Sequence, residues 1–232
     1  YGEFNQLKMA INETKMLDTS VKPIISISRV SKNFGGFRAL NDISLDIAAS
    51  EFGAAGRYRL GLEKRELDSD ALCELLIGWI ERYPIVSIED PLGEDDETGL
   101  QKFTAAVGGR VQIIGDDYLV TNAKRVEDAA ACGACNALLC KPNQAGTLSE
   151  AKAAADAATK AGFGVIVSAR SGETEDATIV HLAVGWSAPQ LKVGSFARSE
   201  RMVKWNEGLR VLETLPGGGR LPSRSLFPWN KD

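Results

Sequence analysis

The chain predicts an α/β fold, a parallel sheet built as an incomplete (β/α) barrel of about six units, and three observations carry that prediction. Residues 85–88 (IVSI) and 111–114 (VQII) are short, predominantly apolar runs rich in β-branched residues, the mark of a strand buried on both faces. Comparable runs stand at 43–47, 137–140, 164–167 and 191–193, so six strands alternate with helix-like segments. That alternation implies a parallel sheet, either doubly wound or closed. Polar residues end nearly every run, which favours the barrel, where all strand ends converge on one mouth. Six units fall short of the eight of a complete barrel.

Taken in order, residues 1–23 have no clear period and are expected to form an irregular leader. From residue 24 the pattern changes: IISISRV, a KNFGGFR turn and ALNDISLDIA make a β-hairpin over 24–45, around Gly35 and Gly36. VSKNFGGFRALNDISLDI resembles the opening strands of the ATP-binding domain of ABC transporters, where an aromatic at Phe34 would stack on adenine. No phosphate-cradling G-x-x-x-x-G-K-[ST] loop follows, so ATP binding is not expected. Residues 46–232 are expected to form the barrel domain.

In residues 70–82, Leu72, Leu75, Leu76, Trp79 and Ile80 have the spacing of one helix face, behind cap candidates Asp68 and Ser69. Further helices are expected over 97–107 and after Asn122. Thr147 and Glu150 form a capping box that opens an alanine-rich helix to Ala161. The last two helices are placed at 174–186 and 197–215, and the turn-rich tail PGGGRLPSRSLFPW belongs on the surface.

A net charge of -4 with no basic run gives no electrostatic basis for binding nucleic acid. No apolar stretch reaches membrane-spanning length and the start has no signal-peptide core, so no membrane partner and a cytoplasmic location are expected. Four cysteines are too few for a disulfide scaffold. Cys132 and Cys135 form a C-x-x-C pair that is read as small buryable residues at a helix end, because no second pair accompanies it. His181, the sole histidine, lies in an apolar pattern and is read as packing on a helix flank.

The rim residues, strand by strand, are Asp46, Glu89 with Asp90, Asp116 with Asp117, Lys141, Arg170 with Ser171, and Lys192. Crowded carboxylates repel one another, and a bound divalent cation is the usual way to keep them ionised. Acids on three consecutive strands suit a hard cation such as magnesium, and the lysines and arginine opposite suit an anionic substrate. A lysine so placed can take a proton from carbon next to a carboxylate.

SIEDP at 87–91, GDDYLVTN at 115–122, LLCKPNQAGT at 138–147, SARSGETED at 168–176 and KVGSFARSER at 192–201 resemble the consecutive motifs of enolase, as does LDIAASEF at 45–52. The resemblance covers about 185 residues of the chain. It implies a TIM-type barrel of the enolase type and magnesium-dependent dehydration of 2-phosphoglycerate to phosphoenolpyruvate. By the same resemblance, Asp46, Glu89 and Asp116 are metal ligands, with Glu89 and Asp116 also facing substrate. Lys141 is the base, Lys192 neutralises the enolate and contacts substrate, and Ser168, Arg170 and Ser171 bind substrate, the last two at its phosphate. The partner implied is a small phosphorylated hydroxy acid, with pairing into a homodimer.

The chain departs from the family pattern at Ala169, where the motif has histidine, and at Pro142 and Ala145 in the lysine motif. What the family carries ahead of LDIAASEF, including the residues of its general-acid step, is absent from this text, which reads as a fusion or truncated copy. Weak turnover is therefore expected. The alternative is a non-catalytic remnant that binds magnesium and phosphorylated carboxylates. Open barrel edges are an aggregation hazard, and residues 24–30 are expected to cover one by pairing antiparallel with 40–47.

Overall fold

The computed structural model describes residues 33–34, 37–38, 42–217, 219–220 and 222–228. Strands β1 (Asn33–Phe34) and β2 (Phe37–Arg38) pair antiparallel. The expected leader, and the pairing of 24–30 with 40–47, lie outside the described residues.

Next come β3 (Ile43–Asp46), then β4 (Gly53–Ala54), β5 (Arg57–Leu60), β6 (Arg65–Asp68) and helix α1 (Ser69–Arg82). The chain continues through β7 (Ile85–Glu89), α2 (Glu97–Val107), β8 (Gln112–Gly115), α3 (Ala123–Cys132) and β9 (Ala137–Cys140). It ends with α4 (Pro142–Ala145), α5 (Leu148–Lys160), β10 (Gly164–Val167), α6 (Thr178–Gly185), β11 (Gln190–Leu191) and α7 (Ser199–Thr214). Of the cap candidates, Asp68 accepts from the amide of Ala71 at 2.8 Å and Thr147 from Glu150 at 3.2 Å; Asn122, to which no cap was assigned, accepts likewise from Arg125 at 3.1 Å.

The six expected strands form one sheet in the order β11-β10-β9-β8-β7-β3, every neighbouring pair parallel. Laid flat, its outer strands would stand about 24 Å apart at ~4.8 Å per step. Yet Lys192, one residue past β11, reaches Asp46 at the end of β3 with Nζ 2.9 Å from Oδ2. The sheet therefore curls into a partial barrel whose first and last strand ends face each other. Across its interior, Gln112 of β8 and Gln190 of β11 exchange amide hydrogen bonds at 3.2 and 2.7 Å.

Burial on both faces explains the largely apolar runs of the central strands. All four residues of β9 are buried: Ala137 and Leu139 pack inward with Ile114 and Ile166, while Leu138 and Cys140 join the larger core under the helices. No described helix is long and apolar enough to cross a membrane.

Three expectations need correction. Residues 53–68, to which no element was assigned, form a three-stranded antiparallel meander, β4-β5-β6, ahead of α1. Tyr58 anchors it: buried, its hydroxyl donates to Asp96 at 2.7 Å and accepts from the amide of Gly93 at 2.9 Å. The helix placed at 174–186 begins only at Thr178, because Asp176 accepts from the Thr178 amide at 2.7 Å and the residues ahead of it form a loop with Gly172 at φ 80°. The last strand ends at Leu191, so Lys192 lies just beyond the ladder. The tail also holds a short 3-10 turn, Arg224–Leu226.

Candidate functional site

A cleft of about 470 Å³ opens at the carboxyl ends of the strands, lined by Asp46, Glu89, Asp116, Lys141, Ser168, Ala169, Arg170, Ser171 and Lys192. Parallel strands deliver the residues at the end of each run to the same rim, so Asp46, Glu89, Asp116, Lys141, Ser168, Arg170, Ser171 and Lys192 all reach this one opening, whereas Asp90 and Asp117 do not line it.

At the acid end, Glu89 ends β7 with 3 % of its surface exposed, and Asp116, 8 % exposed, follows β8 directly. Lys192 bridges Asp46 and Glu89, its Nζ lying 2.9 Å from Asp46 Oδ2 and 2.8 and 2.7 Å from the two Glu89 oxygens. Burial pushes the Glu89 carboxyl upward, more than Lys192 draws it back. Burial works to lower the Lys192 ammonium, but Glu89 and Asp46 outweigh it and leave the ammonium raised and protonated. Lys141 pairs with Asp116 Oδ2. Its backbone is set by Thr121, whose hydroxyl accepts from the Lys141 amide at 2.9 Å.

The tightest cluster of acid oxygens among the described residues is Asp90, Asp116 and Asp117, all within 4.8 Å of one another. Asp90 is committed elsewhere, because its Oδ1 accepts from the Asp116 amide and its Oδ2 from the Asp117 amide, both at 2.9 Å. Burial pushes its carboxyl up to about 7 against the pull of those two amides. Asp116 Oδ1, by contrast, is buried and has no hydrogen-bond partner. An orphaned carboxylate oxygen beside other carboxylates is what a hard, oxygen-seeking cation would complete, so Asp116 fits a magnesium ligand. Asp46 and Glu89 are not in this close cluster and are held to each other through Lys192 instead.

At the other end, Arg170 and Ser171 are exposed on the loop after β10. The Arg170 amide donates to Asn143 Oδ1 at 3.2 Å, tying this loop to the segment that follows Lys141. Ser168 is buried and its hydroxyl donates to the Lys192 carbonyl at 3.0 Å, so it joins the ends of β10 and β11. Ala169 lines the cleft beside it.

With this geometry in place, comparison with known proteins is direct. Residues 19–225 match the family described as Enolase, C-terminal TIM barrel domain. The chain belongs to the enolase family. Enolase 1 of Desulfitobacterium hafniense (strain Y51) is 47% identical to it over 187 residues, 80% of this chain and 43% of that protein. The chain thus spans less than half the length of this relative.

Within this enolase-family cleft the structure also places residues to which the sequence reading gave no role. Arg198, Arg201 and Lys204, at the start of α7, line the same opening as Arg170. Lys204 is buried and donates to the carbonyls of Thr174 and Glu200 at 2.8 Å each, fastening the SGETED loop to α7. The available signal was the run of cations in FARSERMVK, just downstream of Lys192, from which no residue was taken. Asp90 was placed at the rim without a role. His181 lies on the exposed flank of α6 facing Glu207, with Nε2 3.1 Å from Oε1, and is not packed into the core. Cys132 and Cys135 are free thiols at the end of α3.

Proposed function

We propose that this chain carries the reacting face of an enolase, a lyase that uses magnesium to dehydrate 2-phosphoglycerate to phosphoenolpyruvate. One observation supports it above the others: three acids and three cations, delivered by six consecutive strands, line a single cleft.

On this reading Asp46, Glu89 and Asp116 would hold the magnesium, whose bound charge supplies electrophilic neutralisation of the substrate carboxylate. Lys141 takes the proton from the carbon beside that carboxylate, and the negative charge that then develops is met by Lys192. Arg170 offers a permanently charged fork to the phosphate, with the Ser171 hydroxyl beside it. Ser168 holds the Lys192 backbone in register. Both lysines are now paired with the acids, so each must shift its partner when cation and substrate arrive.

The reading extends to a cytoplasmic location and a homodimer, the latter checkable by analytical ultracentrifugation. Purified protein incubated with 2-phosphoglycerate and magnesium should gain the absorbance of phosphoenolpyruvate, and Lys141→Ala should not. A second reading, binding of magnesium and phosphorylated carboxylates without turnover, is favoured by Ala169 standing in the cleft where the family motif has histidine. Magnesium-dependent thermal stabilisation with no absorbance gain would select it.

A further inference from the structure

Asp90 and Asp117 are the rim acids to which the proposed function gives no task, and Asp90 bonds to three strand ends. Its amide donates to the Ile114 carbonyl at 3.0 Å, and its own carbonyl accepts from the Ala49 amide at 3.1 Å. Its two carboxylate oxygens accept from the amides of Asp116 and Asp117 at 2.9 Å each. Through these four bonds one buried residue joins the end of β7 to the end of β8 and to the turn that leaves β3. Those three segments carry Glu89, Asp116 and Asp46 respectively.

The backbone at Asp90 confirms that the position is held by its surroundings. It has φ 39°, a left-handed value that disfavours side chains other than those of glycine, asparagine and aspartate. An aspartate tolerates it and is short enough to aim both oxygens at the first two amides past the end of β8. Those amides have no ladder partner there, because β8 ends at Gly115.

We infer that Asp90 is a positioning residue for the metal-binding acids: it ties the three strand ends into one frame and so fixes where the Asp116 carboxylate points. Asp90 is not itself a ligand, since both of its oxygens are taken by backbone amides. The inference rests on the enolase reading for the metal, while the frame itself is independent of it. Groups that orient a ligand without touching the metal typically account for about 10- to 100-fold in affinity.

The test compares wild type with Asp90→Asn, which keeps the shape but turns one acceptor into a donor facing an N–H, and with Asp90→Gly, in which the left-handed backbone costs nothing and only the carboxylate is lost. Magnesium chloride is titrated calorimetrically, and amide exchange is followed across the chain. Both variants should bind magnesium roughly 10- to 100-fold more weakly. The amides of Asp116 and Asp117 should exchange faster, with exchange in β9 and β10 unchanged. Unaltered magnesium affinity, or unaltered exchange at those two amides, would overturn the inference. Loss of the fold in both variants would also overturn it, by making Asp90 a folding residue. A wild type that takes no magnesium defeats the functional reading instead, and the exchange comparison still decides whether Asp90 holds the frame.

Discussion

The two ends of the cleft are built differently. At the acid end, Glu89 and Asp116 are almost wholly buried, both lysines are paired with carboxylates, and Asp90 stitches the strand ends together. At the anion end, Arg170, Ser171 and Gly172 are exposed on a loop tied down by the Arg170 amide and, further along, by Lys204. The contrast follows from what each end would bind. A small hard cation needs its oxygens held in place beforehand, since loosely held carboxylates separate by mutual repulsion. A phosphate can organise a flexible arginine by its own charge, so that end can stay open until substrate arrives.

The sharpest test of this division is Lys141→Ala, at the acid end. Removal of a general base typically lowers turnover by about 10²- to 10⁴-fold. Phosphoenolpyruvate absorbance should fall accordingly, and an unaltered rate would move the base elsewhere.

Tyr58→Phe comes next and probes the brace under the acid end. It leaves the Gly93 amide without its acceptor and Asp96 without one of its donors, at a cost of about 1–3 kcal/mol. Denaturant unfolding should show that loss, whereas anion binding at Arg170 should be untouched. A melt identical to wild type would mean that the meander does not support the site.

A milder effect is expected from Arg170→Lys, which keeps the charge and loses the fork. One charge-assisted hydrogen bond, about 1.5 kcal/mol, corresponds to roughly tenfold. That should appear in KM for 2-phosphoglycerate and leave kcat nearly constant. An equal fall in kcat would place Arg170 among the groups that act only in the transition state.

The smallest effect concerns the thiols beneath the rim. Burial pushes Cys73 up to about 11 and both Cys135 and Cys140 up to about 12. A raised thiol stays protonated until the pH approaches that value, so at pH 8 these three should resist alkylation in the folded protein. Only half-exposed Cys132 should label, with all four reacting once the chain is unfolded. Rapid native labelling of Cys140 would show that β9 opens far more readily than its buried position allows.

Local pattern made much of this readable. Six strands were legible because each is a short apolar run closed by a charged or polar residue, and α1, α2 and α5 were legible from their spacing and caps. The meander was not, because β5 and β6 are four residues each and rich in arginine and glutamate on their exposed sides. The alternation of Arg57 and Arg59 with buried Tyr58 and Leu60 was the signal that could have revealed it. The late start of α6 was hidden because Thr174 and Asp176 look like caps about one turn or less too early.

The six strands and the charged or polar residue that closes each are local properties, set by burial and periodicity along the chain, and the amino acids alone were enough for them. Which of those side chains meet is a property of the curl. Asp46 and Lys192 stand 146 residues apart and become neighbours because the sheet rolls its two outer strands together. Asp90 likewise owes its place to tertiary structure: its bonds run to the backbone of other strands, and a backbone amide leaves no trace in the identity of the residue that bears it.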